Sequence, residues 1–206
     1  MPSGDVHLTS DEGRLLVFEP NGSGGFERPL EFTGVLSEVS AGVLRVTFTD
    51  GEVWDFDAAG LLVSKTRWDG VSAVVSRDGQ DRVDRVTAST GEWVGYSYDG
   101  AGRLDGVVSS DARSVAYGFD ATSGFLTSVT GVDGETTLYV PDAVGRVDSI
   151  IDPTGVTVVD CTYHPVTGQV ISQVSLEGTT TFAYDAEART TTVSSVEVGD
   201  TVVYSA

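Results

Sequence analysis

Few residues in this 206-residue chain could carry acid–base, nucleophilic or metal chemistry, and their spacing argues against each. Only His7 and His164 offer an imidazole for general-base or ligand duty near neutral pH. His164 stands in the turn-forming run Tyr163-His-Pro-Val-Thr-Gly168, where Asp160 and Asp185 are the acids it could draw on. A surface turn histidine is the simpler reading. Cys161 is the sole cysteine, which excludes an intramolecular disulfide and a thiolate metal cluster. It lies in the strand-like run from Val158 to Tyr163 and reads as a small core side chain rather than a nucleophile. Asp78-Gly-Gln-Asp81 resembles a fragment of a calcium loop, yet nothing fits the twelve-residue EF-hand or the glycine-rich nonapeptide calcium repeat. Asn21-Gly-Ser-Gly-Gly25 lacks the lysine and following helix of a phosphate loop. The expectation is a non-enzymatic chain with no catalytic, metal-binding or cofactor-binding residues and no cofactor.

The charge balance narrows the partners. With 31 acidic against 12 basic residues the formal net charge is −19, so nucleic acid and anionic membrane surfaces are disfavoured, because phosphate binding needs concentrated cations. No apolar run is long enough to cross a bilayer, so membrane insertion is not expected. The stretch from Met1 to Asp11 lacks the charged and apolar regions of a signal peptide. Aspartates fall largely in turns, where they cap backbone N–H groups, and the net charge keeps exposed sheet edges from sticking.

What positions these residues is a repeat. Tyr98-Asp-Gly-Ala-Gly-Arg-Leu104 recurs in decayed form, as Phe56-Asp-Ala-Ala-Gly-Leu-Leu62 upstream and Tyr184-Asp-Ala-Glu-Ala-Arg189 downstream. Its glycine slot falls at Gly60, Asp81, Gly102, Gly124, Gly145, Gly168 and Ala188, about every 21 residues. A second turn signal follows ten residues after each of the first six, at Gly70, Gly91, Ala112, Gly134, Gly155 and Gly178. Extra residues collect at Thr122-Ser-Gly and Val166-Thr-Gly, where a turn can absorb them. Each repeat is therefore two short strands with a turn at either end. Ala188 should carry some strain or mark a decaying end repeat.

Period two assigns faces. The aromatic slot holds Phe56, Arg77, Tyr98, Phe119, Pro141, Tyr163 and Tyr184; two residues earlier stand Trp54, Val75, Tyr96, Tyr117, Tyr139, Cys161 and Phe182. Both positions share a face, and the structural column is taken as Trp54, Tyr96, Tyr98, Tyr117, Phe119, Tyr139, Tyr163, Phe182 and Tyr184, with rings stacking from repeat to repeat. After the glycine slot, apolar residues recur at +2 and +5, as in Leu126 with Val129 and Val147 with Ile150. An odd spacing cannot share one face of a regular strand, so a bulge is expected in each repeat.

Tyr98-Asp-Gly-Ala-Gly-Arg-Leu104, and Gly51-Glu-Val-Trp-Asp-Phe56 leading into Asp57-Ala-Ala-Gly60, are similar to the consensus of RHS/YD repeats. The resemblance implies an all-β array of about seven stacked β-hairpin repeats forming a curved, spiralling sheet. Residues 1–47, with Asp11-Glu-Gly-Arg-Leu15 and Phe18-Glu-Pro20, look like an irregular β lead-in or cap, and residues 48–206 like one continuous domain of tandem repeats. In bacterial Rhs polypeptides, Tc-toxin shell proteins and teneurins such shells enclose or present a toxin or C-terminal segment. The resemblance therefore implies a secreted or cell-surface scaffold whose partner is a cargo or toxin domain of the parent polypeptide. A different reading is a recognition module, in which aromatic and acidic residues bind a glycan or receptor. Self-association through open sheet edges is a further expectation. Family members that release a toxin carry an aspartyl cleavage motif near Asp-Pro-x-Gly-Leu; Asp152-Pro-Thr-Gly155 matches it in part, but Val156 replaces leucine and two repeats follow, so it reads as an ordinary turn.

Overall fold

The computed structural model describes residues 4–9, 13–30, 32–196 and 201–205. Asp11 and Glu12 of the expected lead-in lie outside them, as do Met1 to Ser3. All regular structure among the described residues is β, with antiparallel pairing throughout the ladders and no helix. The chain forms two compact units, Met1–Ser97 with Val108–Ala112, and Tyr98–Val107 with Arg113–Ala206.

The first unit begins with β1 (Val6–Thr9) and β2 (Leu15–Phe18), a separate two-stranded sheet. A continuous antiparallel ladder follows through β3 (Gly34–Ser40), β4 (Val43–Phe48), β5 (Val53–Phe56), β6 (Leu62–Thr66), β7 (Ser72–Arg77), β8 (Val83–Ala88) and β9 (Trp93–Tyr98). Strand β10 (Leu104–Ser109) contributes to both units. In the second unit the ladder runs through β11 (Ser114–Phe119), β12 (Leu126–Thr130), β13 (Thr136–Pro141), β14 (Val147–Ile151), β15 (Thr157–Tyr163), β16 (Val170–Ser175), β17 (Gly178–Asp185), β18 (Thr190–Ser195) and β19 (Thr201–Ser205).

The expected bulge is present at the same station of five repeats, and the last hairpin, β17 with β18, departs from the expectation by pairing in unshifted register from Thr180 to Asp185. The register shifts immediately before Phe56, Arg77, Phe119, Pro141 and Tyr163, so that one residue of the partner strand is left over. The extra residue is the third after the first-turn position, for example Thr127 and Asp148. Skipping it returns the +2 and +5 side chains to one face. Leu126 then lies opposite Phe119 and Val129 opposite Tyr117; Val147 lies opposite Pro141 and Ile150 opposite Tyr139.

Every first-turn position is left-handed. It is glycine at Gly60, Gly102, Gly124, Gly145 and Gly168, Asp81 at φ 61°, and Arg189 at φ 54°. The last position corrects the sequence expectation, which placed it at Ala188. The turn after Asp185 has the longer form seen at Asp120 and His164, whose carbonyls accept from the N–H four residues on (Gly124 and Gly168) rather than three as at Asp99 and Gly102. With Arg189 in the slot, the last interval from Gly168 becomes 21 residues.

The fully buried apolar side chains lie in residues 18–46. Phe18 is 1% exposed and Val46 0%, and Phe32 and Leu36 complete the cluster. Rings continue outward from it: Phe18 to Phe32 at 5.0 Å, Phe32 to Phe48 at 5.5 Å, Phe48 to Trp54 at 5.0 Å and Trp54 to Phe56 at 6.5 Å. Such edge-on and tilted contacts are the favoured arrangements of aromatic quadrupoles.

Candidate functional site

The functional features of this chain are contacts repeated from hairpin to hairpin. At the +5 position Trp54 faces Lys65 and Cys161 faces Gln173, while Tyr117 faces Val129 and Tyr139 faces Ile150; in the last hairpin Phe182 faces Val193. Such aromatic–β-branched pairs stabilise a sheet by roughly 0.2–1 kcal/mol each. Successive column residues are thus two strands apart, roughly 9–10 Å at the normal strand spacing. Direct ring–ring contacts run from Phe18 to Phe56 in the first unit. Two rings of the later repeats, Phe119 and Tyr163, are covered by cations.

Arg103 lies 4.5 Å over the Phe119 ring and Arg146 4.1 Å over Tyr163, each arginine reaching from one repeat to the aromatic slot of the next. In the first unit Lys65 covers Trp54 at 3.7 Å and Arg85 covers Trp93 at 4.2 Å. The aspartate of the same turn holds each bridging arginine from behind. Asp99 Oδ2 accepts from Arg103 Nε at 2.7 Å and Asp142 Oδ2 from Arg146 Nε at 2.7 Å, and Asp78 holds Arg82 in the same way. The other oxygen caps the turn: Asp99 Oδ1 accepts from the N–H groups of Ala101 and Arg103, and Asp142 Oδ1 from those of Val144 and Arg146. The repeated Tyr-Asp and Gly-Arg pairs are therefore parts of one clamp, carboxylate to guanidinium to ring.

These bonds hold the carboxylates ionised. Asp99 is lowered below the usual range by the Arg103 N–H and guanidinium, and Asp78 by the Arg82 guanidinium first. At Asp142 desolvation opposes the change, but the Arg146 bonds outweigh it and the pKa is again lowered. Burial pushes the Tyr163 phenol up, which keeps its hydroxyl a donor to the Val147 carbonyl at 2.6 Å. Tyr184 donates to the equivalent carbonyl, Val170, at 2.8 Å. Where the slot holds Arg77, the guanidinium donates to the matching Leu62 carbonyl at 3.2 Å, so a cation does the phenol's work.

The tip of the clamp explains a second demand on the turn glycines. A Cβ added at Gly124 would lie 2.9 Å from Arg103 Nη1, and at Gly168 3.2 Å from Arg146 Nη1. At Gly145 it would meet the ring of Phe125, which takes the arginine position, at 2.5 Å. The positive φ favours glycine at all three positions, and at Gly145 the Phe125 ring also leaves no room for a Cβ, whereas at Gly124 and Gly168 the near atom is the tip of a flexible arginine. Where that previous residue is Leu61 or Gln169, the slot carries a side chain, Asp81 or Arg189.

The remaining column residues take these places: Trp54, in β5, also donates its indole N–H to Glu52; Tyr96 and Tyr98 lie in β9, half-buried; Tyr184, at 40%, is exposed. His7 is exposed on β1. His164 substitutes for the turn aspartate, its Nδ1 accepting from Val166 N–H at 3.3 Å and Thr167 N–H at 3.1 Å. The acidic turn at Asp78 has its carboxylate occupied by Gln80 N–H, Arg82 N–H and Arg82 Nε. Asn21 Oδ1 collects the donors of its own glycine-rich loop, Ser23 N–H, Ser23 Oγ and Gly25 N–H, which turns them inward. Asp152 caps Thr154 and Val156 in the hairpin turn between β14 and β15, with Gly155 at φ 86°. Among the described residues no group of His, Cys, Asp and Glu is placed to hold a metal ion.

No protein-family model matches the chain, and no curated protein matches it. Solved structures do. A chain of the Photorhabdus luminescens Tc holotoxin pore with the TccC3-D651A mutation aligns over 91% of this chain at TM-score 0.57 and 16% identity. A TcdB2-TccC3 structure without its hypervariable C-terminal region aligns over 91% at TM-score 0.58 and 15% identity. The fold is that of an RHS-repeat shell. The likeness is one of fold, and the chain spans 12% of the length of each of these solved chains.

Proposed function

We propose that this chain is a stretch of non-catalytic shell wall in a larger secreted or surface polypeptide, where it helps enclose or present a C-terminal toxin or other cargo. The observation that carries the reading is the antiparallel ladder of hairpins within each unit, most of them bulged at one station, in a chain that aligns over 91% of its length with Tc toxin proteins about eight times as long. A wall requires strand-to-strand continuity and no reactive centre. Here the turn aspartates hold arginines that reach over the ring of the next hairpin, so charged groups serve to join one hairpin to the next. Residues 1–47 serve as the lead-in: the Phe18–Val46 cluster supplies a buried anchor for the start of the array. A protease-protection experiment on the complete parent polypeptide tests the proposal. A compact downstream domain should resist digestion while the array is intact and become sensitive when Arg103→Ala and Arg146→Ala loosen it. Equal sensitivity in both states would refute enclosure.

A further inference from the structure

The turn at Asn21 repeats the hairpin turns with an amide in place of the acid. Asn21 Oδ1 accepts from the N–H groups of Ser23 and Gly25, both at 3.0 Å, and from Ser23 Oγ at 2.9 Å. Asp57 and Asp99 accept from N–H groups at the same two offsets, those of Ala59 with Leu61 and of Ala101 with Arg103. The backbone closes alike: Asn21 N–H donates to the Gly25 carbonyl at 3.0 Å, as Asp57 N–H does to Leu61 at 3.0 Å and Asp99 N–H to Arg103 at 2.9 Å. Gly24, three residues on, is left-handed at φ 97°, as Gly60 and Gly102 are. The residue after Asn21 is Gly22, and residues 21–24 are exposed. Among the described residues neither the Gly22 N–H nor Asn21 Nδ2 has a hydrogen-bond partner. Asn21 is the only asparagine in the chain.

We propose that Asn21 deamidates spontaneously and that its hydrogen bonds steer the product to aspartate, the residue most of the later turns carry. The bond from Ser23 N–H folds the side chain forward over the Gly22 peptide, and Gly22 puts no Cβ in the way of ring closure. Hydroxide takes the Gly22 amide proton, the nitrogen's electron pair bonds to Asn21 Cγ, and the Cγ–Nδ2 bond breaks. Nδ2 leaves as ammonia, with a proton drawn from water, and a five-membered succinimide remains. Negative charge gathers on Oδ1 during the attack, where three donors already point, the arrangement that stabilises an oxyanion. Water then opens the ring at one of its two carbonyls. Opening at the Cγ carbonyl restores the normal backbone with aspartate; opening at the main-chain carbonyl leaves isoaspartate, with the chain running through Cγ. The donors on Oδ1 polarise the Cγ carbonyl, and an aspartate formed there inherits all three bonds. The wall function does not depend on this conversion, so either reading can fail without the other.

The test incubates the full 206-residue chain, and a synthetic peptide of residues 18–27, in mildly alkaline buffer at physiological temperature. Whole-chain mass follows the exchange of amide for acid, and peptide mapping with electron-transfer fragmentation counts aspartate against isoaspartate at position 21. The folded chain should convert in the time the peptide does, with an aspartate-to-isoaspartate ratio at least about twofold above the peptide's. Ser23→Ala removes the Oγ donor and should lower that ratio about two- to tenfold, the weight of one neutral hydrogen bond. In urea that unfolds the unaltered chain the ratio should fall to the peptide's, a control that needs no variant to fold. Asn21 retained while the peptide converts, a folded-chain ratio no higher than the peptide's, or a ratio unchanged by Ser23→Ala or by urea would each overturn the proposal.

Discussion

Gly145 and Gly155 separate two reasons for glycine that are usually entangled. Their backbones are nearly the same, φ 89° and 86°, but a Cβ at Gly155 meets nothing within 4 Å while one at Gly145 meets the Phe125 ring at 2.5 Å. Gly155→Ala should therefore cost only the left-handed penalty, about 1–2 kcal/mol, partly offset by the lower entropy of the unfolded chain. Gly145→Ala carries the same terms plus the displacement of a packed ring, a further 1–3 kcal/mol or so. The difference between the two variants, about 1–3 kcal/mol, isolates the contact between repeats. Trp54, Trp68 and Trp93 all lie in the first unit, so fluorescence will not report on this site. Amide hydrogen exchange across β13 and β14, with urea unfolding followed by circular dichroism, will. In a Phe125→Ala background the excess at Gly145 should vanish. If Gly145→Ala and Gly155→Ala agree within about 0.3 kcal/mol, ordinary experimental additivity, the close-approach argument is wrong.

Further outcomes follow from the same contacts. A double-mutant cycle between Arg146 and the Tyr163 ring, using Arg146→Ala and Tyr163→Leu, should give a coupling of about 0.5–1 kcal/mol, and Arg146→Lys should recover less than half of it because the planar fork is lost; zero coupling in urea titrations removes the clamp. His164→Asp restores a charged cap to the turn after Tyr163 and should stabilise it by roughly 0.5–1 kcal/mol at neutral pH, read as slower exchange at Thr167 and Gly168. Asp78, Asp99, Asp120, Asp142 and Asp152 all have folded pKa values below their unfolded ones. Their contribution is therefore complete above the unfolded value, about 3.9, and is lost as pH falls through the folded values. Thermal midpoints should drop below about pH 4, and Asp99→Asn with Asp142→Asn should flatten that drop.

Much of the ladder was legible before any coordinates. The 21-residue interval fixes hairpin length, and the odd spacing between Val147 and Ile150 is enough to require the bulge that the register shift before Pro141 supplies. The end of the array was harder. Counting from Tyr184 with a turn of fixed length put the left-handed residue at Ala188, whereas the longer turn after Asp185 moves it to Arg189. The clamp itself was written in the sequence but not as a local pattern: Arg82, Arg103, Phe125 and Arg146 are each followed about one repeat later by glycine at 102, 124, 145 and 168, and Leu61 and Gln169 by Asp81 and Arg189. Seeing it requires knowing that a side chain crosses to the next hairpin, which period-two alternation does not convey. The burial of Phe18 and Phe32 left no periodic signal, since these residues flank irregular segments.

Because the guanidinium belongs to one hairpin and the ring it covers to the following one, no hairpin is chemically complete by itself. Removing or duplicating a whole period of 21 or so residues, wherever the splice falls, joins the same donor to the same kind of receiver. A splice out of phase by half a period would strand both. The array can thus lengthen or shorten by recombination in integral steps with little penalty, and the phase of its arginines sets the grain along which it can be cut.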